Sequence, residues 1–347
     1  MKNLLSRKSP HQSNSYLRIS VVLSIILLSA VTLSQAQEVV YKGFLDINAS
    51  VSKDHSTFGF GGFDNYISSQ ISDKLSFVGE IIVQPSQGQE FRVDVERIHA
   101  TYEFNEKFKL TIGRFYAPIG YYTTHFYSDH AAIYTPSLTR PTILAYEDDG
   151  GVLETRATGV MVTASHLTSL NLTYDLALTN GIGSNSAGDN DKNKAITMRL
   201  SMSPVEGLTL GGGARFDRLD ASTISRATNL ELGESVTSNN FSGFGAFTND
   251  KFMIMAEYYS ISNQSASAGK VNSQGAFAYA GYTFKKLTPY FQYDYLDISS
   301  KDVYYSSASN DSGLDVGIKY AFTFKSVLKS EYHIDSQSLH LQYAIGF

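Results

Sequence analysis

The nine residues from Leu339 to Phe347 constrain the fold more than any other stretch of the chain. Leu339, Leu341, Tyr343, Ile345 and Phe347 alternate with His340, Gln342, Ala344 and Gly346. In an extended backbone, side chains alternate between two faces, so one face here is apolar along its whole length. A strand crossing lipid has this pattern: apolar outward, polar inward, with aromatics at the water interface. The competing account is an ordinary sandwich strand, and the rest of the chain decides between them.

The other end of the sequence is basic. Lys2, Arg7, Lys8 and Arg18 precede an apolar run of 13 residues from Ile19 to Val31, followed by Ser34-Gln35-Ala36. A basic region, a short apolar core and small residues at a cleavage position make a secretory signal peptide, residues 1–36. A membrane anchor is the alternative, but the run is shorter than the ~20 residues a spanning helix needs. Removal of the signal moves the formal charge from -5 to -9. No other segment is apolar enough for a spanning helix, so a membrane protein of this sequence must be a closed barrel. Cysteine is absent, which excludes disulfides and thiolate metal sites. With 23 Tyr, 21 Phe and no Trp, any interfacial girdle must be built from Tyr and Phe.

From Val39 onward, alternating segments are separated by connections that are themselves alternately short and long, as in barrels with tight turns on one side of the membrane and loops on the other. Strands are expected over Tyr41 to Val51, Phe58 to Ile71, Leu75 to Gln84, Phe91 to Phe104 and Lys107 to Pro118. After a long irregular stretch, eleven more run from Gly151 to His166 through Leu339 to Phe347. Ser72-Asp73-Lys74, Asn105-Glu106-Lys107, Asn249-Asp250-Lys251 and Thr323-Phe324-Lys325 read as tight turns. Gly181 to Asn193, Asp220 to Asn240, Ser262 to Ser273 and Ser299 to Ser312 read as external loops. The fold class is all-β: a transmembrane antiparallel β-barrel over residues 37–347, of about sixteen strands. One merged or missed hairpin would make it fourteen or eighteen.

The face opposite the apolar one is polar. Leu170, Leu172, Tyr174, Leu176 and Leu178 oppose Asn171, Thr173, Asp175 and Thr179, and Leu314, Val316, Ile318, Tyr320 and Phe322 oppose Asp315, Gly317 and Lys319. Charged inner faces suit water inside and lipid outside, and a barrel this wide encloses an aqueous channel. Inward-phase charges include Asp175, Arg199, Arg215, Asp217, Glu257, Asp294, Asp315, Lys319, Lys329 and Glu331, a set of mixed sign.

The longest connection, Ile119 to Gly150, is the third on the external side. It carries six aromatics (Tyr121, Tyr122, Phe126, Tyr127, Tyr134, Tyr146) and two prolines, too apolar a composition for a disordered segment, and is expected to fold into the lumen. The strands before it, Val93-Asp94-Val95-Glu96-Arg97-Ile98-His99 and Leu110-Thr111-Ile112-Gly113-Arg114-Phe115-Tyr116-Ala117-Pro118-Ile119-Gly120, with the later Glu147-Asp148-Asp149-Gly150-Gly151-Val152, resemble the broad group of Gram-negative outer-membrane porins that includes phosphate-selective porins. Over residues 91–160 this resemblance implies that the loop constricts the pore. The loop would then carry Asp129, Arg140, Glu147, Asp148 and Asp149, rooted between strands that bear Arg92, Arg97, Lys109 and Arg114, since opposed charged groups in a narrow aqueous gap select ions. The bland alternative is that these charges pair with one another and pin the loop. The resemblance further implies a homotrimer; the strand from Leu339 to Phe347 in turn resembles the C-terminal strand of Gram-negative outer-membrane barrels, which implies that Tyr343, Ile345 and Phe347 belong to the signal read by the barrel assembly machinery. The chain departs from phosphate-selective members in lacking a ladder of arginines and lysines, which points to weak selectivity.

Strict alternation from Phe108 through Ile112 sends Arg114 toward lipid unless a bulge turns it or it lies at the strand end. A similar phase break falls at Glu96-Arg97. His125, Asp129 and His130 have too few neighbouring ligands for a metal site. Ser330 is in the outward phase while His333 and His340 are inward, which disfavours a nucleophile-and-base enzyme, and nothing suggests nucleic-acid binding. The expected function is passive diffusion of ions and small hydrophilic solutes through the outer membrane, with no cofactor and no turnover; the alternative is a closed barrel acting as adhesin, receptor or membrane enzyme.

Overall fold

The computed structural model describes residues 39–86, 89–126, 132–144, 153–182, 188–189, 191–224, 230–305 and 310–347. The expected signal peptide lies outside the described residues, as do Asp129, His130, Glu147, Asp148 and Asp149.

Sixteen antiparallel strands close into one barrel, each paired with its sequence neighbours. They are β1 (Val39–Val51), β2 (Ser56–Ser72), β3 (Leu75–Ser86), β4 (Gln89–Glu103), β5 (Phe108–Tyr116), β6 (Arg156–Ala164), β7 (Thr173–Thr179), β8 (Ala195–Val205), β9 (Leu208–Leu219), β10 (Val236–Thr248), β11 (Phe252–Ser265), β12 (Gly269–Tyr282), β13 (Leu287–Asp297), β14 (Asp311–Thr323), β15 (Ser326–His333) and β16 (Ser338–Gly346). The strand count is the expected one. Several strands run further than the apolar pattern: β11 and β12 continue through the segment expected as a loop over Ser262 to Ser273, leaving a connection of three residues. The long connection is longer than expected, because β5 stops at Tyr116 and β6 starts only at Arg156.

The seam pairs β1 with β16 from Phe44 opposite Gly346 to Val51 opposite Leu339. It is completed by Phe347, whose N–H donates to the Gly43 carbonyl at 2.9 Å and whose carbonyl accepts from Gly43 N–H at 3.1 Å. The Phe347 ring stacks on Phe63 at 6.1 Å and fills the space a Cβ at Gly43 would take, 2.2 Å from the nearest ring atoms.

Burial separates the two faces. On β8, Ala195, Thr197, Arg199 and Ser201 are buried while Ile196 and Leu200 are exposed; on β13, Tyr290, Gln292 and Asp294 are buried while Phe291 and Tyr293 are exposed. Exposed apolar residues recur all round the outer face, far beyond the few hundred Å² that soluble proteins leave uncovered. Phe104, Phe284, Phe324 and Phe347 are exposed near the short turns, where an aromatic girdle belongs. Those turns form for a local reason. Asn105 Oδ1 accepts from the N–H groups of Lys107 (2.9 Å) and Phe108 (3.0 Å), and Asn249 Oδ1 accepts from Lys251 (2.9 Å) and Phe252 (2.7 Å); an Asn side chain in this role mimics a backbone turn.

The main apolar core lies inside the barrel, where described parts of the 117–155 connection meet the wall. Ile119, Tyr121, Tyr122, Ile143 and Leu144 cluster with Phe244, Tyr259, Phe277, Tyr279 and Tyr290. The described part of this connection carries one α-helical turn, α1 (Tyr122–His125), and a 3-10 turn at Thr142–Leu144.

Candidate functional site

The phase break in β4 is a bulge. The register with β3 shifts between Glu80 and Ile81, leaving Glu96 as the extra residue between Arg97 (opposite Glu80) and Val95 (opposite Ile81). Both charged side chains find partners: Arg97 Nε lies 2.5 Å from Glu80 Oε2, and Glu96 Oε1 lies 2.6 Å from Arg156. One row of side chains crosses four strands in register: Lys42 opposite Tyr66, Tyr66 opposite Glu80, Glu80 opposite Arg97. The Arg97 guanidinium sits over the Tyr66 and Tyr116 rings at 5.4 and 4.5 Å, Lys42 Nζ lies 5.9 Å from the Tyr66 centroid, and Tyr116 OH donates to Glu80 at 3.2 Å.

Arg114 corrects one expectation. It stands opposite Ile98 and Thr158, so it shares the outer face with exposed Ile98. It lies two residues from the end of β5 and donates from Nε to the Val95 carbonyl at 3.0 Å. The strand-end alternative therefore holds, near the interface where such a charge costs little. Gly113 before it has φ +129°, and a Cβ there would lie 2.2 Å from the Ile98 carbonyl oxygen, which excludes any other residue.

The remaining expected bases do not form a single ring. Arg92 is near the loop-side end of β4, paired with Asp94 at 2.9 Å; its partner on β3, Gln84, is four positions from Glu80 opposite Arg97, about 14 Å at ~3.4 Å per residue. Lys109 is the second residue of β5, close to the turns, and Arg140 is half-buried in the long connection. These residues are strung along the height of the barrel.

The inward-phase charges of the opposite wall do something the sequence did not display: they bind the backbone of the 117–155 connection. Glu257 accepts from Tyr122 N–H and Tyr259 OH, each at 2.5 Å. Glu331 accepts from the N–H groups of Leu138 and Thr139, both at 3.0 Å, from Thr139 Oγ1 at 2.5 Å and from Tyr290 OH at 2.8 Å. Asp294 accepts from Thr142 N–H at 3.0 Å. Cations take the carbonyls: Lys319 Nζ donates to Ile133 O at 2.9 Å, and Lys329 Nζ to Ser137 O at 2.8 Å and to Thr135 Oγ1. Ser242 donates to the Ile119 carbonyl, and Arg215 faces Glu154 at 3.6 Å. Buried backbone groups must be paired, and the described stretches of this connection are here paired by side chains of both signs from β9 to β15.

Cavities lie on the β1–β9 side of the barrel. A polar chamber of about 620 Å³ is lined by Arg97, His99, Lys109, His166, Asp175 and Arg199 among others. It shares Arg97, Tyr116, Thr124 and His125 with a second cavity, a neck of about 240 Å³ between Phe44, Tyr66 and Tyr116 of the wall and Phe126 and Tyr134 of the long connection. His125 opens onto this passage, but the surrounding wall desolvates it and holds the imidazole below its ordinary range, with Arg199 adding to the effect. The bond to the Tyr121 carbonyl at 2.8 Å opposes the shift without reversing it.

One group of possible metal ligands occurs among the described residues, Asp315, Glu331 and His333. Glu331 already accepts from the loop donors named above and from His333 at 3.0 Å, so this cluster fits the anchor better than an ion. His333 and His340 stack at 4.2 Å on the inner face, as expected.

No protein-family model matches the chain, and no curated protein matches it in sequence. Solved structures do. The chain is similar to OmpT (in-vitro folded, trimer form), an outer membrane protein of Vibrio cholerae, with TM-score 0.60 and 13% identity over 90% of this chain and 100% of that one. It is similar to OmpF of Salmonella typhi, in a complex with daunomycin, with TM-score 0.59 and 13% identity over 89% and 97%. A third is the anion-selective porin from Comamonas acidovorans, with TM-score 0.59 and 10% identity over 90% and 100%. The fold is thus the sixteen-stranded barrel of outer-membrane porins.

Proposed function

We propose that this protein is a passive diffusion pore for ions and small hydrophilic solutes in the outer membrane of a Gram-negative bacterium, narrowed by the 117–155 connection. The observation that carries the reading is the asymmetry of the lumen: described parts of the connection pack on one half of the inner wall, and two adjoining cavities, one polar and one largely aromatic, lie along the other half. A barrel of this strand number is wide enough to hold water, and charged groups beside a narrow aqueous gap bias the ions that pass. In this reading there is no turnover and no cofactor. Arg97 is the base at the constriction, with Glu80 as its partner; Lys109 and Arg92 lie below and above it. The trimer form of the similar Vibrio cholerae protein supports a homotrimer.

The test is single-channel recording of the purified, folded chain in a planar bilayer, with the reversal potential measured under a salt gradient. Discrete open steps with a modest reversal potential are expected. A folded barrel that never conducts would transfer the weight to an adhesin, receptor or enzyme.

A further inference from the structure

The neck has a composition that water and inorganic ions alone do not require. On the long connection, Tyr134 keeps 54% of its surface exposed while its ring meets Phe44 edge-on at 5.6 Å, and Phe126 is half-buried beside it. Apolar ring surface left in water costs about 25 cal/mol per Å² relative to being covered. Across from these rings stands the row of Lys42, Tyr66, Glu80 and Arg97. Glu80 is 1% exposed, its charge covered by Arg97 and Tyr116 OH. Lys42 is exposed and makes no ion pair among the described residues, and the Arg97 side chain is still 23% exposed. The neck therefore presents aromatic surface on both sides and, on the wall side, the Lys42 ammonium beside the exposed part of the Arg97 guanidinium that Glu80 balances.

The geometry points to a binding subsite for small monocyclic aromatic carboxylates in this neck, the ring lying against Tyr134 and Phe126 and the carboxylate meeting Lys42 and Arg97. Three observations select this class. Organic cations are disfavoured because the inner-wall ring faces already carry Arg97 and Lys42. Sugars need several free hydrogen-bonding groups, and those lining the neck are engaged within the protein: Glu80 with Arg97 and Tyr116, Thr124 with the Gly120 and Tyr121 carbonyls, and His125 with the Tyr121 carbonyl. Size limits the occupant to about one ring, since about 240 Å³ falls below the ~300–1,000 Å³ typical of sites for drug-sized ligands. The inference rests on the pore reading for its route of access, and it names the solute class that the pore would favour.

The experiment uses benzoate as probe, with acetate and glucose as controls, on the folded full chain and on Lys42→Gln and Tyr134→Ala. Channel block is read in a planar bilayer, and direct binding is read by equilibrium dialysis against the detergent-solubilised barrel. Folding of each variant is checked by its heat-modifiable migration on gels. Benzoate is expected to reduce open-channel current at concentrations where acetate and glucose do not. Each substitution should weaken it about two- to fivefold, the range for an exposed ion pair or ring contact. Conduction with benzoate and acetate acting alike would overturn the subsite and leave the pore reading intact. Block by glucose at the concentration that works for benzoate would overturn the ligand class. If the barrel is electrically silent, the pore reading fails; dialysis then decides the subsite alone, supporting it if benzoate binds with the same dependence on Lys42 and Tyr134, and overturning it if it does not.

Discussion

Glu331 concentrates the anchor of the long connection in one side chain, accepting from two backbone N–H groups, two hydroxyls and His333. Glu331→Gln replaces an acceptor oxygen by a donor facing donors. Leaving a buried group unsatisfied costs about 1–3 kcal/mol, so increased open-channel current noise and faster protease cleavage in the 117–155 segment are expected. Gly43 is a second sensitive position. With Phe347 filling the site of its absent Cβ, Gly43→Val should loosen the β1–β16 seam and lower the urea midpoint, while the same change at exposed Gly59, where a Cβ meets nothing within 4 Å, should not. His125 supplies a pH signature. Its imidazole is held below the ordinary range, so it takes up a proton more readily when the connection is detached. Attachment therefore loses stability as pH falls through the unperturbed value of about 6.5 and on down to the depressed one, and His125→Gln should remove that slope from the urea midpoint. At this scale the sequence disclosed direction but not partner. Alternation placed Glu257, Asp294, Lys329 and Glu331 inward, yet nothing in it said that these charges meet backbone groups some 130 to 195 residues away.

The strands were legible wherever lipid imposes its pattern. All sixteen could be found from apolar alternation, and the turns at Asn105 and Asn249 from a side chain that hydrogen-bonds its own backbone. Asn249→Ala removes two such bonds, about 1 kcal/mol each at most for exposed groups, and the same loss is expected at Asn105, read as a small drop in urea midpoint. Element ends were not legible where the strands pass beyond the lipid. From Ser262 to Ser273 the outward residues become polar because they meet water, so the sequence reads as a loop while the ladder of β11 and β12 continues. The bulge at Glu96 appeared only as a broken phase, and the register of β3 was needed to show that both Glu96 and Arg97 turn inward.

At the scale of the whole molecule, the bases expected together at a constriction stand apart. Arg97 stands at the neck and Arg114 lies on the outer face, while Arg92 and Lys109 are spread along the barrel axis. A row such as Lys42, Tyr66, Glu80 and Arg97 depends on three strand registers at once, which local pattern does not encode. The distribution of charge follows the same division: acids and bases from β9 to β15 hold the described parts of the long connection, while Arg97, Lys109, Asp175 and Arg199 line the cavity on the other side. The most direct test of this arrangement is to compare the single-channel conductance of the full chain with that of a chain shortened between Gly120 and Leu153. A connection that narrows an aqueous pore requires the shortened chain to conduct more in each open step. Equal conductance from a folded, shortened barrel would contradict the account.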